Sequence, residues 1–190
     1  LATTKGWEDR LNGDAAAARR ILKEVGYYGT PIVLLHQTDV IGHSNLATVA
    51  KPQLEAAGFK VDLQPMDWQT LVARRTKKDP PSQGGWHAMF TSSAALSIPD
   101  PVANFWLAAG CEKAAVGWPC DAEIERLRDA FAREIDPEKR HALADAAQAR
   151  ERAYPTYAQL GQFTVPTALR KNVKGLLTAP AITFWNIEKG

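Results

Sequence analysis

The feature that most constrains the fold is a continuous apolar run at residues 31–35 (PIVLL), which follows a segment with helical periodicity. Such a run is typical of a strand that is buried on both faces of a parallel sheet. Before it, Asn12 or Asp14 can cap a helix, and Gly26 stands where a glycine commonly ends one. The first third of the chain is therefore predicted to alternate helices with buried strands.

A second helix and two further strands follow. Ser44 can cap the helix, and Pro52 lies inside it, where we expect a kink or a late start. Residues 59–64 (FKVDLQ) alternate between apolar and polar, which predicts a half-exposed strand. Asp67 can cap a short helix, and residues 86–91 predict a third strand. The order β-α-β-α-β indicates parallel strands joined by right-handed crossovers.

The second half of the chain has a different pattern. The pair at 100–101 (DP) is a strong signal for the start of a helix. Asp121 can cap a helix whose apolar face consists of Ile124, Leu127, Phe131 and Ile135. The pair at 136–137 (DP) begins another helix that reaches Tyr154. Three later segments predict strands, at residues 157–163, 165–169 and 182–187. Without internal repeats, residues 1–190 are predicted to form a single α/β domain.

The composition argues against several classes of partner. Lysine and arginine number 23 and aspartate and glutamate 21, so no strong field favours nucleic acid or an anionic membrane. No apolar run approaches the roughly 20 residues that cross a bilayer. Because the chain begins at Leu1 and not at methionine, we expect a processed product or an excised piece. The missing signal peptide then carries no information about the compartment.

Sequence motifs for catalysis and for cofactor binding are absent. The chain has no G-x-S-x-G, G-x-x-x-x-G-K-[ST], G-x-G-x-x-G or H-E-x-x-H motif, and its four histidines lack metal-ligand spacing. Ser92, His36 and Asp39 could be drawn as a catalytic triad, but any chain of this length permits such a drawing. We therefore expect no cofactor, no metal and no catalytic residue.

The two cysteines, Cys111 and Cys120, are separated by eight residues. This spacing does not fit C-x-x-C redox chemistry or a zinc knuckle. Two free buried thiols are one interpretation. We favour a disulfide, because the enclosed Gly117, Trp118 and Pro119 suit a compact surface loop. A structural disulfide would indicate an extracytoplasmic protein.

Several stretches carry a resemblance to a known family: residues 14–27 (DAAAARRILKEVGY), 53–71 (QLEAAGFKVDLQPMDWQTL), 98–105 (IPDPVANF), 120–148 (CDAEIERLRDAFAREIDPEKRHALADAAQ), and 168–175 with 185–186. In this order they resemble the C-terminal lobe of the family 5 extracellular solute-binding proteins, the oligopeptide/dipeptide-type receptors of ABC importers. The resemblance implies a periplasmic-binding-protein-like lobe, with a mainly parallel β-α-β-α-β core followed by two helices and C-terminal strands. It also implies two partners, the N-terminal lobe of the same protein and an ABC permease.

The resemblance implies candidate ligand-binding residues as well, at loops beyond the strand ends. Trp68 matches a tryptophan that lines the family's pocket, with core packing as the alternative. Arg75 matches an arginine that can hold a carboxylate, with a solvated helix end as the alternative. His43 lies near a position that touches ligand, with a surface histidine as the favoured alternative. Gln37 ends the first buried strand and could face the cleft on geometry alone.

The segment after the third strand departs from the family pattern. Peptide receptors there read G-W-x-x-D, and the aspartate pairs with the peptide's α-ammonium. When this chain is aligned with the family pattern on the DP pair at 100–101, Ser92 stands at the position of the tryptophan and Ala95 at that of the aspartate. No carboxylate stands between Thr91 and Asp100. A buried ammonium without a counter-charge costs several kcal/mol. We therefore expect no recognition of a free peptide N-terminus, and neutral hydrogen bonds from Ser92 and Ser93 instead.

These observations predict a periplasmic binding module and not an enzyme. Its ligand would be a blocked peptide, an opine, a sugar-like compound or another polar solute, captured by closure of two lobes. An α/β hydrolase-type enzyme domain is one alternative. A solute-binding fold that serves as a sensor or a chaperone is another.

Overall fold

The structure is a computed structural model that describes residues 13–179, 181 and 183–190. The alternative helix cap Asn12 and the first residue of the predicted strand 182–187 lie outside the described residues. The helices are α1 (Ala15–Glu24), α2 (Leu46–Ala56), α3 (Trp68–Arg74), α4 (Ala122–Arg133) and α5 (Pro137–Ala153). The strands are β1 (Ile32–Gln37), β2 (Val61–Met66), β3 (Ala88–Met89), β4 (Val173–Lys174) and β5 (Glu188–Lys189). Short 3₁₀ turns cover Pro81–Gln83, Ala95–Ser97, Phe105–Leu107 and Cys111–Lys113.

A three-stranded parallel sheet in the order β2-β1-β3 forms the centre of the domain, which confirms the predicted β-α-β-α-β core. The central strand β1 is buried from Val33 to Gln37, as its apolar run predicts. Val33 and Leu35 form one core cluster with Leu71 of α3. Helix α2 packs against β1 and β2, and α3 packs against β1. The sheet is therefore the platform on which the loops at its carboxyl edge are fixed.

Helix ends follow the predicted capping chemistry at most positions. Asp14, Asp67, Asp121 and Asp136 each accept backbone N–H groups in the first turn of α1, α3, α4 and α5. Helix α1 ends as predicted at Gly26, which has φ +71° and donates to Lys23, while the next N–H donates to the carbonyl of residue 22. This pair of bonds is a Schellman motif, which requires a left-handed residue and so favours glycine.

The start of α2 differs from the prediction. Its N-cap is Asn45 and not Ser44, and no side chain makes a capping bond there. The helix begins at Leu46 and contains Pro52, so the expectation of a late start is wrong. The proline lies in the second turn, where its missing N–H removes one bond while packing against the sheet holds the helix.

The third strand is shorter than residues 86–91, and a side-chain hydrogen bond between the two strands lies at each of its ends. The N–H of Val33 donates to Nδ1 of His87 at 2.9 Å. At the other end, Nε2 of Gln37 donates to the carbonyl of Phe90 at 2.8 Å. Regular pairing is therefore limited to Leu34 with Ala88 and Leu35 with Met89.

The DP pair at 100–101 makes its capping bonds without starting an α-helix. Oδ1 of Asp100 accepts the N–H groups of Val102 and Ala103, at 2.9 and 2.8 Å. The side chain of Asn104 then accepts the N–H of Trp106 and opens a 3₁₀ turn. Because the Asn104 side chain begins a new turn only a few residues after Asp100, the backbone does not continue as an α-helix. The predicted helix is therefore wrong here.

Helices α4 and α5 pack against each other through Ile124, Leu127 and Phe131 on one side and Ala144 and Ala147 on the other. Ile135 was predicted to belong to the apolar face of α4, but it lies beyond the helix end and is 92% exposed. Arg150 of α5 binds Asp121, the cap of α4, at 2.7 Å. The Arg150 guanidinium holds the pKa of Asp121 below its ordinary value, although partial burial opposes this.

The predicted C-terminal strands are wrong in position. Residues 157–163 and 165–169 form no strand, and neither do the described residues 183–187. The strands present are β4 and β5, an antiparallel pair of two residues each. A strand needs a partner for its backbone groups, and Leu160, Phe163 and Val165 remain 62%, 58% and 73% exposed.

Candidate functional site

A pocket of about 500 Å³ lies where the chain leaves the carboxyl ends of the parallel strands. Trp68 follows β2, and Thr91, Ser92 and Ser93 follow β3, so the two strands that flank β1 deliver these side chains to one edge of the sheet. Ligands of open α/β sheets bind at this edge. The pocket brings together four of the predicted site residues, which are Trp68, Arg75, Ser92 and Ser93.

Trp68 and Arg75 form one side of the pocket. Trp68 is the first residue of α3, and its N–H donates to Oδ1 of Asp39 at 2.8 Å. Its ring is half-buried, packs against the core cluster and also lines the pocket. Trp68 therefore contributes to the core and to the pocket at the same time. The Arg75 guanidinium carbon lies 5.8 Å from the centre of that ring, within cation–π range.

Arg75 is held in place through its backbone and through a half-buried side chain. It is the C-cap of α3, and its carbonyl accepts the indole N–H of Trp86 at 3.0 Å. Its Nε is buried and has no hydrogen-bond partner within the described part of the chain. The alternative of a fully solvated helix-end arginine therefore does not describe this residue.

Ser92 and His43 form a hydrogen-bonded pair at the pocket. The Ser92 hydroxyl lies 2.7 Å from Nε2 of His43, and which of the two donates depends on the imidazole tautomer. His43 is buried, so the prediction of a surface histidine is wrong, and its Nδ1 has no partner among the described residues. The structure thus links His43, which does not itself line the pocket, to a residue that does.

Ser93 has a defined hydrogen-bonding role. The indole N–H of Trp106 donates to Oγ of Ser93 at 2.8 Å. Because an indole nitrogen is only a donor, the serine oxygen accepts this bond and its own hydrogen stays available. Trp106 also lines the pocket, and its ring centre lies 4.4 Å from that of Phe105.

The loop enclosed by the two cysteines forms a further wall of the pocket, which sequence reasoning missed. Cys111 and Cys120 form the predicted disulfide, and the N–H of Cys111 donates to Pro119 at 3.0 Å across the base of the loop. The lining residues are Ala114, Ala115 and Val116. Their short apolar run between the cysteines was the available signal, but only the fold shows that it turns toward β3.

Two other contacts hold this loop against the sheet side. The Trp118 ring lies 6.2 Å from the Trp86 ring. Lys78 pairs with Glu112 and stands 5.0 Å from the centre of the Trp118 ring. The wall is therefore fixed by a covalent bond at its base and by contacts along its length.

The remaining predicted site residues, Gln37 and Ala95, do not line the pocket. Gln37 is buried, and its side chain is used to hold the carbonyl of Phe90. Ala95 is exposed and begins a 3₁₀ turn. Gln37 thus positions the segment that carries Ser92 and Ser93 without reaching the pocket itself.

The triad that could be drawn from the sequence is not assembled. Ser92 contacts His43 and not His36, and Asp39 accepts the backbone N–H of Trp68. Within the described ranges, no group of three or more His, Cys, Asp or Glu side chains could hold a metal ion. The described helices include none that is long and apolar enough to span a membrane.

Comparison with known proteins identifies the family. The sequence model of the bacterial extracellular solute-binding proteins, family 5, matches residues 2–115, which is more than half of the chain. The chain belongs to the family 5 bacterial extracellular solute-binding proteins. This confirms the resemblance that the sequence motifs indicated.

Individual relatives agree with this assignment. A probable peptide ABC transporter periplasmic-binding protein of Sinorhizobium fredii is 35% identical over 184 residues, which is 97% of this chain and 34% of the relative. The chain therefore spans about a third of that relative's length. Its relatives in the family are binding proteins of transport systems and not enzymes, and the predicted extracytoplasmic location is confirmed.

Solved structures share the fold at low sequence identity. A dipeptide-binding protein of Pseudoalteromonas sp. SM9913, in complex with Met-Leu, has a TM-score of 0.66 and 18% identity, over 93% of this chain and 36% of that one. NikA of Staphylococcus aureus, in complex with Ni(L-His)2, has a TM-score of 0.65 and 17% identity, over 89% of this chain and 36% of NikA. These values show the periplasmic-binding-protein fold of this family 5 chain.

Proposed function

We propose that residues 1–190 form the C-terminal lobe of a longer, two-lobed substrate-binding component of an ABC importer. The observation that carries the proposal is the pocket at the carboxyl edge of the sheet, lined by Trp68, Arg75, Ser92 and Ser93. The lobe captures a peptide-like or other polar solute together with the N-terminal lobe of the same protein and delivers it to an ABC permease. The Sinorhizobium relative, named as a peptide ABC transporter protein, supports the transport role.

The exposed apolar surface after α5 supports a partner lobe. Leu160, Phe163 and Val165 stand on a segment without regular structure, and Phe184 and Trp185 are exposed as well. A soluble protein rarely leaves so many large apolar side chains uncovered. The N-terminal lobe is the proposed cover, and the same closure would enclose a ligand held at the pocket.

A hydrolase is the second candidate, because Ser92 and His43 are hydrogen-bonded at the pocket. In a serine triad, a carboxylate orients the histidine through its other ring nitrogen. Nδ1 of His43 has no partner within the described part of the chain, so this orienting group is missing there. We therefore assign the pair to the shaping of the pocket.

Thermal unfolding of the full-length protein that contains this chain, against a library of peptides and polar metabolites, tests the proposal. A ligand at 100 times its Kd should stabilise the folded state by about 2.7 kcal/mol and raise the melting temperature. If no compound shifts the melting temperature, solute capture is contradicted. Ester or amide hydrolysis that disappears in Ser92→Ala would favour the hydrolase instead.

A further inference from the structure

Arg75 is the single charged residue among those that line the pocket. Its guanidinium forms no ion pair with any described carboxylate, and its buried Nε has no hydrogen-bond partner among the described residues. A half-buried guanidinium keeps its charge and needs acceptors. Its planar set of donors matches a carboxylate better than any neutral acceptor.

A second donor faces the same space. The Ser93 oxygen is used as an acceptor for the Trp106 indole, so its hydroxyl hydrogen is available to a ligand acceptor. No hydrogen bond within the described part of the chain uses that hydrogen. Arg75 and Ser93 together make this part of the pocket a set of donors, one of them charged.

The acidic side chains near the pocket are engaged in other contacts. Asp39 accepts the backbone N–H of Trp68, and Asp67 accepts from both the N–H and the hydroxyl of Thr70. Glu112, in the cysteine-enclosed loop, pairs with Lys78. None of the lining residues is acidic, so a ligand ammonium would find no counter-charge in the lining of this pocket.

The rest of the pocket is apolar. Trp68, Phe105 and Trp106 offer rings, and the cysteine-enclosed loop offers the short side chains of residues 114–116. Such surfaces fit an aromatic or aliphatic body that is buried beside a polar group.

We infer that this pocket selects a carboxylate-bearing solute with an apolar or flat body and no free ammonium group. The inference rests on the proposed solute-binding function and adds the chemical class of the ligand. The carboxylate is held by Arg75, a neutral acceptor of the ligand receives the Ser93 hydrogen, and the body lies between the rings and the loop.

Isothermal titration of the full-length protein with three matched compounds tests the inference. The compounds are Ala-Phe, N-acetyl-Ala-Phe and N-acetyl-Ala-Phe amide. The acetylated acid should bind at least about tenfold more tightly than its amide, because only the acid forms a charge-assisted pair with Arg75. It should also bind more tightly than the free dipeptide, whose ammonium has no counter-charge in the pocket lining.

Three results overturn the inference: equal or tighter binding of the free dipeptide, equal binding of acid and amide, or no binding of any of the three. If the library melt still finds a ligand, solute capture stands and only the assigned class is wrong. If the library also finds none, both proposals are wrong.

Variants separate the role of Arg75 from a general effect of charge. Arg75→Gln should abolish the difference between acid and amide, while Arg133→Gln, an exposed arginine near the end of α4, should preserve it. If Arg75→Gln does not fold, Arg75→Lys keeps the charge without the planar donors and should reduce the preference several-fold. Asp39→Asn should not change any of the three affinities. A specific loss of Ala-Phe binding in that variant would make Asp39 an ammonium site and overturn the inference.

Discussion

Nε2 of His43 and Oγ of Ser92 lie 2.7 Å apart and join the segment before α2 to the segment after β3. His43 is buried, and this is its one side-chain hydrogen bond among the described residues. The bond therefore links the pocket hydroxyl of Ser92 to a buried side chain at the edge of the sheet.

Ser92→Ala is expected to lower the free energy of unfolding by about 1–2 kcal/mol, because it leaves a buried imidazole without its partner. Chemical denaturation followed by tryptophan fluorescence measures this change. Ser82→Ala is the matched control, since Ser82 is exposed in the 3₁₀ turn Pro81–Gln83. Equal stability of the two variants would show that the hydrogen bond adds nothing.

Reduction of the Cys111–Cys120 disulfide is expected to weaken both stability and ligand binding. In the chain-entropy model, closing a loop of this size contributes roughly 2–3 kcal/mol to folding. The same loop forms a pocket wall through residues 114–116, so its loosening should also raise the ligand Kd. Thermal unfolding and titration with and without a reductant measure the two effects.

The chain has only these two cysteines, which gives a direct control. A variant with Cys111→Ser and Cys120→Ser should resemble the reduced protein and should not respond to the reductant. An unchanged ligand Kd after complete reduction would mean that the wall is held by its Trp118 and Lys78 contacts alone.

The Asp121–Arg150 contact predicts a specific dependence of stability on pH. The hydrogen bond from Arg150 lowers the pKa of Asp121 in the folded state. A carboxyl with a lowered folded pKa adds stability above its unfolded pKa of about 3.9, and that stability is lost as the pH falls through the folded pKa. Asp121→Asn should therefore lower the melting temperature at pH 7, and its difference from wild type should shrink below about pH 4.

Asp136→Asn provides the comparison, because Asp136 caps α5 through the N–H of Lys139 and forms no ion pair among the described residues. Asparagine can cap as well as aspartate, so both variants keep their caps. A pH dependence of equal size in the two variants would assign the effect to helix capping and not to Arg150.

Most helices and the parallel core could be predicted because their signals are local. The caps at Asp14, Asp67, Asp121 and Asp136 act within one turn of the chain, and the apolar run of β1 needs only burial. Signals that depend on distant partners failed. The segment 157–169 has strand-like alternation, but the described part of the chain gives it no strand to pair with.

The candidate site shows the same division. Trp68 and Arg75 were predicted because the family resemblance implies them, and Ser92 and Ser93 because the chain departs from the family pattern there. The structure places all four in one pocket. The donor role of Ser93 depends on Trp106, thirteen residues away, and the pocket wall depends on how a loop turns. Neither relationship leaves a periodic signal that sequence reasoning could detect.

Alanine substitutions of Leu71 and Leu160 test whether one apolar side chain belongs to the core of this chain and the other to the proposed interface with a second lobe. Leu71 is fully buried in the core cluster with Val33 and Leu35. Leu71→Ala should lower the free energy of unfolding by about 2–5 kcal/mol, both in the 190-residue chain and in the full-length protein. Denaturant titration of the two proteins measures this loss.

Leu160→Ala should behave differently in the two proteins. In the 190-residue chain Leu160 is 62% exposed, so its truncation should change stability by less than about 0.5 kcal/mol. In the full-length protein the proposed N-terminal lobe covers this segment, and the same change should then cost about 1 kcal/mol or more. A small effect in both proteins would leave the segment outside any interface with a second lobe, and the proposed cover would be wrong.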